Sequence, residues 1–438
     1  MTSERRFEQD LPALLAEVGV GPRPDYRDDI VRQTASVRQR PAWTLPERWL
    51  PMSVLTTRVA APSRYPWRVL AVAALIGLLI LGGALIAAGS RPPVPAPFGR
   101  ATNGLIAYAA NGDIYTVDPA SGTTTAVAQA SVGSDGPVQY DQPTFSLDGT
   151  RLAFVRSQSG DARNRWLVVS APDGSGQSIV AATAQTGSGS VASIGTVYGF
   201  SPDGRSLLFT SGDNELMIAN VDGSGVRSLH VVGDQPSWLP PNGAEIVYAG
   251  IVPDGTPNGI YAIDAAGGIP RTILAPVDGV SRDAVTVSPD GSQIAYSASS
   301  LTDQSTHNTY EVHVVRADGT GDVTLPRPTG STFEDRPVWS NDGTRLAVIR
   351  GYDTRNQDVL VAVVPADGSS TGVETRHKLT GCCDSLLDWA PADSSVVLLP
   401  EDSDGNMLAQ LLIDPATGAV SPAPGDGTSP PAWQRRAP

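Results

Sequence analysis

Phe145 to Arg156 reads FSLDGTRLAFVR, and the word returns along the chain. It recurs as FSPDGRSLLFTS from Phe200, WLPPNGAEIVYA from Trp238, VSPDGSQIAYSA from Val287 and WSNDGTRLAVIR from Trp339, with a degenerate copy, WAPADSSVVLLP, from Trp389. Each copy joins an aromatic or apolar residue, a turn built on Asp-Gly or Asn-Gly, and a short β-rich run. Such dipeptides between apolar runs are the strongest short-range hairpin signal, and they predict a type I′ turn with both central residues at φ > 0. A second turn word alternates with the first: DPASG at Asp118, PDGSG at Asp173, VDGSG at Asp222, DAAGG at Asp264, ADGTG at Asp318, ADGSS at Asp367 and DPATG at Asp414. The spacings are 55, 49, 42, 54, 49 and 47 residues. Periods of this size mean a solenoid, a propeller or an array. Two hairpin turns per period give four antiparallel strands, A to D, the unit of a propeller blade.

The two words differ in number. The second occurs seven times, the first six times with a full strand A before it. The missing strand A stands at the end of the chain as Pro431-Ala432-Trp433, matching Gln142-Pro143-Thr144-Phe145 and Arg336-Pro337-Val338-Trp339. The first unit opens at Asn103-Gly104-Leu105-Ile106-Ala107-Tyr108, which reads as turn plus strand B. The C-terminal strand is therefore expected to complete the blade begun by residues 103–125, closing the ring and removing exposed sheet edges. The expectation is an all-β domain over 103–438, a seven-bladed β-propeller of four-stranded antiparallel blades. Six blades stay open if the region 185–230 is irregular.

The F/W-S-P-D-G-x-x-[LI]-[AL]-[FY] pattern resembles the TolB-like family of propeller repeats over about residues 103–435. The resemblance implies the fold and is nearly silent about ligand. Relatives in that family include periplasmic partner-binding proteins, and the same repeats precede peptidase domains in some hydrolases. The Gly-His and Trp-Asp pairs of eukaryotic-type WD repeats are missing here.

Val69 to Gly89, VLAVAALIGLLILGGALIAAG, has no charged or polar side chain. At a rise of 1.5 Å per residue it spans about 31 Å, the thickness of the bilayer hydrocarbon. It is longer than the apolar region of a cleaved signal peptide and begins after residue 68, so it reads as an uncleaved signal anchor. Residues 1–68 carry 11 Arg against 8 Asp/Glu, and the remainder 20 Lys/Arg against 37 Asp/Glu. The positive-inside rule then places the N-terminus in the cytoplasm and the propeller outside the membrane. The order is a cytoplasmic segment 1–68, a transmembrane helix 69–89, a Pro-rich spacer 90–102 and the propeller 103–438. Arg91 to Pro97, RPPVPAP, is a stiff spacer.

In the cytoplasmic segment, Phe7, Leu11, Leu14 and Leu15 share one face of a short helix that Pro22 and Pro24 end, and Asp25 to Arg40 reads as a second. A short helical segment before a single span resembles the cytosolic end of bacterial anti-sigma-type regulators, which implies a sigma factor as partner. It lacks their His-x-x-x-Cys-x-x-Cys zinc motif. A helix lying on lipid, or an unstructured segment, is the alternative. A sequence pI of about 4.7 argues against a nucleic-acid partner, which needs a basic face.

Catalytic signals are thin. There is no G-x-S-x-G, H-E-x-x-H or phosphate loop, and His230, His307, His313 and His377 stand at no metal-ligand spacing. Glu401 to Asn406, EDSDGN, lacks the closing Glu of a calcium loop and reads as a turn. The expectation is no catalytic residue, no metal and no cofactor. Cys382 and Cys383 are adjacent, with Cα atoms about 3.8 Å apart, so a vicinal disulfide there would be strained. A disulfide and two thiols both stay open.

The best candidate for a binding surface is a coincidence of register. Asp141, Asp234, Asp283 and Asp335 each lie four residues before Phe145, Trp238, Val287 and Trp339. Strand A lines a propeller's channel, so these carboxylates are expected to converge on one mouth, an acidic funnel for cations, basic peptides or amino sugars. The copies led by Phe200, Trp389 and Trp433 carry Thr196, Ser385 and Ser429 instead. The alternative is that each Asp caps its own turn. The sequence thus reads as a membrane-anchored, non-catalytic binding or sensing module for an extracellular ligand or envelope protein. A propeller enzyme such as a glycan lyase or hydrolase, and a structural envelope tether, are the rivals.

Overall fold

The computed structural model describes residues 98–133, 136–158, 164–183, 193–250, 258–300, 310–352, 358–375, 379–380, 386–400, 407–425, 427 and 431–436. The cytoplasmic segment, the 69–89 run, residues 90–97 of the spacer, His307, His377, the pair Cys382 and Cys383, Ser385, Ser429 and the 401–406 turn lie outside these residues. No helix among the described residues is long and apolar enough to cross a membrane.

The described chain is all β, and every pairing is antiparallel. Thr102–Ala110, Asp113–Val117 and Thr124–Ala128 form the first sheet, and Ala432–Arg436 from the far end of the chain is its fourth strand. Ile106 stands opposite Trp433. The second sheet contains Ser131–Gly133, Gly136–Phe145, Leu152–Gln158, Arg165–Ser170 and Ser178–Ala182. A seven-stranded sheet follows, from Ile194–Phe200 to Arg271–Leu274. Its long middle strand, Val226–Trp238, pairs by residues 226–232 with Glu215–Asn220 and by residues 233–238 with Glu245–Gly250. Three more sheets begin at Val280–Val287, Phe333–Trp339 and Leu386–Trp389.

The second strand of each unit is covered on both faces. Leu152, Ala153, Phe154 and Val155 are all 0% exposed, as are Leu346, Ala347, Val348 and Ile349. Burial on both faces explains why these strands read as unbroken apolar runs rather than alternating ones. Their side chains form cores between successive sheets. Ala107 and Ile114 of the first sheet pack with Leu152 and Phe154 of the second, and Val155 and Leu167 pack with Leu207 and Phe209 beyond. Leu208 and Ile218 meet Ile246 and Tyr248, and Val247 and Ile260 meet Ile294 and Tyr296. Val312 and Val314 meet Leu346 and Val348, and Ile349 and Val361 meet Val396 and Leu398. The packing then returns to its start, where Ala390 and Val397 share a core with Ile106, Val117 and Trp433. The sheets form a closed ring.

The repeated turns correct one expectation. In the copies that carry a glycine only that glycine has positive φ, for example Gly149 at 69°, and the preceding Asp or Asn does not; in the degenerate copy Asp393 takes the glycine's place at 55°. The turn is a type I turn closed by Gly149 N–H to Ser146 C=O at 2.8 Å, with the glycine in the left-handed region. The proline in FSPDG and VSPDG excludes type I′, because its ring holds φ near −65° at the first central position. The Ser146 hydroxyl donates to Asp148 Oδ1 at 2.5 Å, and Asp148 Oδ1 accepts the Thr150 N–H at 3.0 Å. Ser201 with Asp203, Ser288 with Asp290 and Ser340 with Asp342 repeat the first of these bonds. The glycine also admits the neighbouring sheet. A Cβ on Gly149 would lie 2.0 Å from the Arg435 carbonyl oxygen, and one on Gly291 2.3 Å from that of Pro240.

Closure by the last strand is testable by removing residues 430–438. Losing a buried Trp side chain alone costs about 3–5 kcal/mol, and Trp433 is 7% exposed. The shortened protein should melt several degrees lower. An unchanged melting temperature would mean that Ala432–Arg436 is a loose tail.

Candidate binding site

The innermost strands break step at one recurring place. Register shifts fall between Asp141 and Thr144, Asp234 and Ser237, Asp283 and Thr286, and Asp335 and Val338. In each, the residue after the aspartate is left-handed: Gln142 at φ 54°, Gln235 at 44°, Ala284 at 50° and Arg336 at 53°. These are β-bulges, which re-aim a strand by inserting an unpaired residue. Pro143, Pro236 and Pro337 sit inside them, where the ladder asks for no N–H. Asp234 Oδ1 accepts the Gln235 N–H at 2.9 Å, and Asp335 Oδ1 accepts the Arg336 N–H at 2.6 Å. These two carboxylates therefore cap their own bulges.

Asp234, Gln235, Ala284, Arg336 and Pro337 line a cavity of about 520 Å³ together with Thr196, Tyr198, Leu386 and Leu387. Asp283, next to the lining residue Ala284, feels two of the other aspartates. Burial raises the Asp283 carboxyl to a pKa of about 7, and the charges of Asp335 and Asp234 add to the rise while Arg336 opposes it. Asp283 Oδ1 is buried and makes no hydrogen bond. The Tyr198 hydroxyl is raised to about 12 by burial and then by Asp234. Asp141 belongs to a different contact. It lies 3.5 Å from Arg165, whose guanidinium also donates to the Ile194 carbonyl at 2.7 Å. Burial raises the Asp141 carboxyl, and Arg165 offsets part of that rise.

Behind Asp335 stands an ionic network that the register argument did not find. Arg350, 0% exposed, donates from Nε to Glu334 Oε1 at 2.6 Å and from Nη1 to Glu374 Oε1 at 2.5 Å. Its Nη2 donates to the Thr371 carbonyl at 3.0 Å. Burial raises the Glu334 carboxyl, against the pull of Arg350. A fully buried guanidinium needs such partners, because an unpaired charge in the interior is very costly. Glu334 precedes Asp335, so the network holds the backbone that carries the carboxylate. The signal for the bulges lay in the words DQPTF, DQPSW and DRPVW, where a proline two residues after Asp forbids an unbroken ladder.

The other end of the innermost strands carries a second polar cluster. Asp393, whose side chain is fully buried, accepts from the Asn341 N–H at 2.6 Å, the Asp342 N–H at 3.0 Å and Arg100 Nε at 3.0 Å. Arg435 donates to the Asn341 side chain and to the Gly99 carbonyl. Residues 99 and 100 are thus held where the strands end, away from the bulges. His230 and His313 stand apart, beside Glu215 at 3.5 Å and Asp322 at 3.3 Å. No group of three His, Cys, Asp or Glu able to hold a metal occurs among the described residues.

Asp283 and the turn aspartates give opposite pH dependences. Burial disfavours ionisation of Asp148, Asp203, Asp290 and Asp342, but hydrogen bonds from serine and threonine hydroxyls and backbone N–H groups outweigh it and lower their pKa values. Their stabilisation is complete above the unfolded carboxyl value near 4 and fades as the pH falls further. Asp283, at about 7 in the fold, instead costs stability as the pH rises from about 4 through 7. Asp283→Asn removes that cost. In urea melts it should be more stable than wild type at pH 8, by on the order of 2–4 kcal/mol, and close to it at pH 4.5. Equal differences at both pH values would contradict the assignment.

No protein-family model and no curated protein matches the sequence. Among solved structures, the chain is similar to a prolyl endopeptidase at 13% identity and a TM-score of 0.53, over 74% of this chain and 50% of that one, so it spans half of that protein's length. It is similar to TolB from Acinetobacter baumannii at 14% identity and a TM-score of 0.46, over 77% of this chain and 81% of that one. It is also similar to the β-propeller domain of the Trilobed protease from Pyrococcus furiosus at 13% identity and a TM-score of 0.44, over 72% and 93% of the two chains. At such identities the likeness is one of fold alone; the closed ring of antiparallel sheets itself makes the fold a β-propeller.

Proposed function

We propose that this chain is a single-pass membrane protein whose propeller, outside the membrane, is a non-catalytic binding and sensing module. Its ligand is cationic and enters the acidic cavity. The segment 1–68 passes the signal to a cytoplasmic partner such as a sigma factor. The observation that carries the binding reading is acidic charge gathered at the cavity: Asp234 lines it, Asp283 and Asp335 adjoin its lining residues Ala284 and Arg336, and the charges of Asp335 and Asp234 add to the rise that burial gives Asp283. Like charges gathered in a partly desolvated site favour a positive partner, which relieves both the repulsion and the lost hydration. The tether supports the reading too, since Gly99 and Arg100 are bound at the opposite end of the strands and leave the cavity clear. The apolar run 69–89 and the arginine excess before it support the membrane topology.

We read the ring as seven blades, with Val226–Trp238 serving as the last strand of one blade and the first of the next. Leu208 and Ile218 pack against Ile246 and Tyr248 across that strand. Side chains of one flat sheet cannot meet face to face, so the seven-stranded sheet folds at its middle strand into two blades.

One observation favours a second reading, an envelope-acting propeller enzyme such as a glycan lyase or hydrolase. A carboxyl with a pKa of about 7 is suited to take up and return a proton near neutrality.

Replacing Asp141, Asp234, Asp283 and Asp335 together by Asn keeps the shape and removes four charges. Calorimetry of the full-length protein in detergent against divalent cations and basic peptides should give at least tenfold weaker binding for the variant, which should still fold and melt cooperatively. Unfolding of the variant would make the aspartates structural caps, and glycan turnover by the wild type that the variant loses would favour the enzyme.

Topology has its own test. Protease added to intact protoplasts should digest the propeller and leave residues 1–68 protected. A protected propeller would reverse the orientation.

A further inference from the structure

The strand that closes the ring makes an interface unlike the others. In three copies of the repeat, the aromatic residue ending the innermost strand is a tryptophan that donates its indole N–H to the neighbouring innermost strand. Trp238 donates to the Gly199 carbonyl at 3.4 Å, Trp339 to that of Thr286 at 3.4 Å and Trp389 to that of Val338 at 2.9 Å. The acceptor is each time the residue before the neighbour's own aromatic or apolar terminus. For Trp433 the corresponding acceptor is the carbonyl of Asp388, and the bond is not made: Trp433 Nε1 is buried without a hydrogen-bond partner. Trp433 is only 7% exposed. A cavity of about 370 Å³ lies at this junction, lined by Trp433, Arg435, Asp388, Phe145, Pro391 and other residues.

Arg435 adds a second unused donor. It stands two residues after Trp433 on the same strand, so both side chains project from one face. Its Nη1 and Nη2 go to neutral oxygens, those of Asn341 and the Gly99 backbone, while its Nε has no acceptor. Among the described residues it has no carboxylate in ion-pair contact; Asp388 and Asp393 act on it from farther away, and Asp393 is itself engaged by Arg100. The site therefore offers a cation and two unpartnered N–H groups beside apolar side chains such as Phe145 and Pro391, a mix of polar and apolar groups suited to a small molecule.

We propose that this cavity binds a small organic carboxylate, its oxygens accepting from Trp433 Nε1–H and Arg435 Nε–H and its apolar body resting against Phe145 and Pro391. The proposal stands apart from the acidic cavity and does not depend on it. Asp388 sets the pH range. Burial raises its carboxyl to about 7, with the Trp389 N–H and Arg435 opposing the rise. Below that value it is neutral and tolerates an anion; above it, its charge competes for Arg435.

The test is calorimetry of the full-length protein in detergent with propionate and benzoate, using propionamide and benzamide as uncharged controls. A tripeptide with a free or an amidated C-terminus separates a free acid from a chain end as the source of the carboxylate. The acids should bind saturably at pH 6 and about tenfold more weakly at pH 8, where Asp388 is mostly ionised. Asp388→Asn should keep the pH 6 affinity and abolish the pH dependence, an effect that a merely structural change would not produce. Arg435→Gln should lose binding, and if that variant fails to fold, the Asp388→Asn comparison decides. Binding of only the free-ended peptide supports the same carboxylate chemistry with a chain terminus as its source. No saturable binding of any carboxylate by folded wild type, amides binding as well as acids, or an unchanged pH dependence in Asp388→Asn would overturn the proposal.

Discussion

Everything in this fold depends on the pairing of Ala432–Arg436 with Thr102–Ala110, across more than three hundred residues of intervening chain. Each sheet buries both faces only because another sheet stands on either side. Without the closing strand the first sheet would keep an open inner edge, and the core that Trp433 shares with Ile106, Val117 and Val397 would lose its largest side chain. A ring differs here from an open stack, whose end repeats need a polar outer face. Here the first and last strands of the ring pair with each other and do the work of such caps. The strand carries polar connections as well. Gln434 donates to the Gly149 carbonyl at 2.7 Å, and Arg435 reaches Asn341 and Gly99, so one short segment joins three parts of the ring.

The repeated turn does two jobs with one set of residues. Its serine and aspartate satisfy each other and the backbone N–H groups that the tight reversal leaves free. Its glycine supplies a left-handed residue and also leaves space for the neighbouring sheet's backbone. Those demands coincide at Gly149, where any side chain would meet the Arg435 carbonyl. The recurrence of Asp-Gly therefore reflects packing between units as much as the geometry of each hairpin.

The candidate site sets cost against position. Asp234 and Asp335 are anchored by the bulges they cap, whereas Asp283 has a buried oxygen with no donor and sits between two like charges. Nothing in strand pairing asks for a carboxylate at Asp283, and an alanine would remove its desolvation cost. Buried polar groups that the fold does not need are where function is sought. The Arg350 network beside it shows the contrasting arrangement, in which two glutamates and a carbonyl surround one cation.

The period, the four-stranded unit and the identity of the closing strand were legible in the sequence because they rest on local signals: turn residues, apolar runs and a missing first strand. The four aspartates were legible as a register, because register along a strand is a matter of counting. Their grouping was not. Asp141 pairs with Arg165, a residue two strands away whose approach depends on twist, while Asp234 and Asp335 act on Asp283 from separate sheets. The turn type was misread because Asp-Gly was weighed without the proline before it. Trp433 and Arg435 were visible as the ending of a repeat, but the bond that Trp433 fails to make is defined only against three other tryptophans and their neighbours in space. Local words determine which strands form and in what order. Distances between units, and with them charge, burial and unmet hydrogen bonds, follow only once the ring is closed.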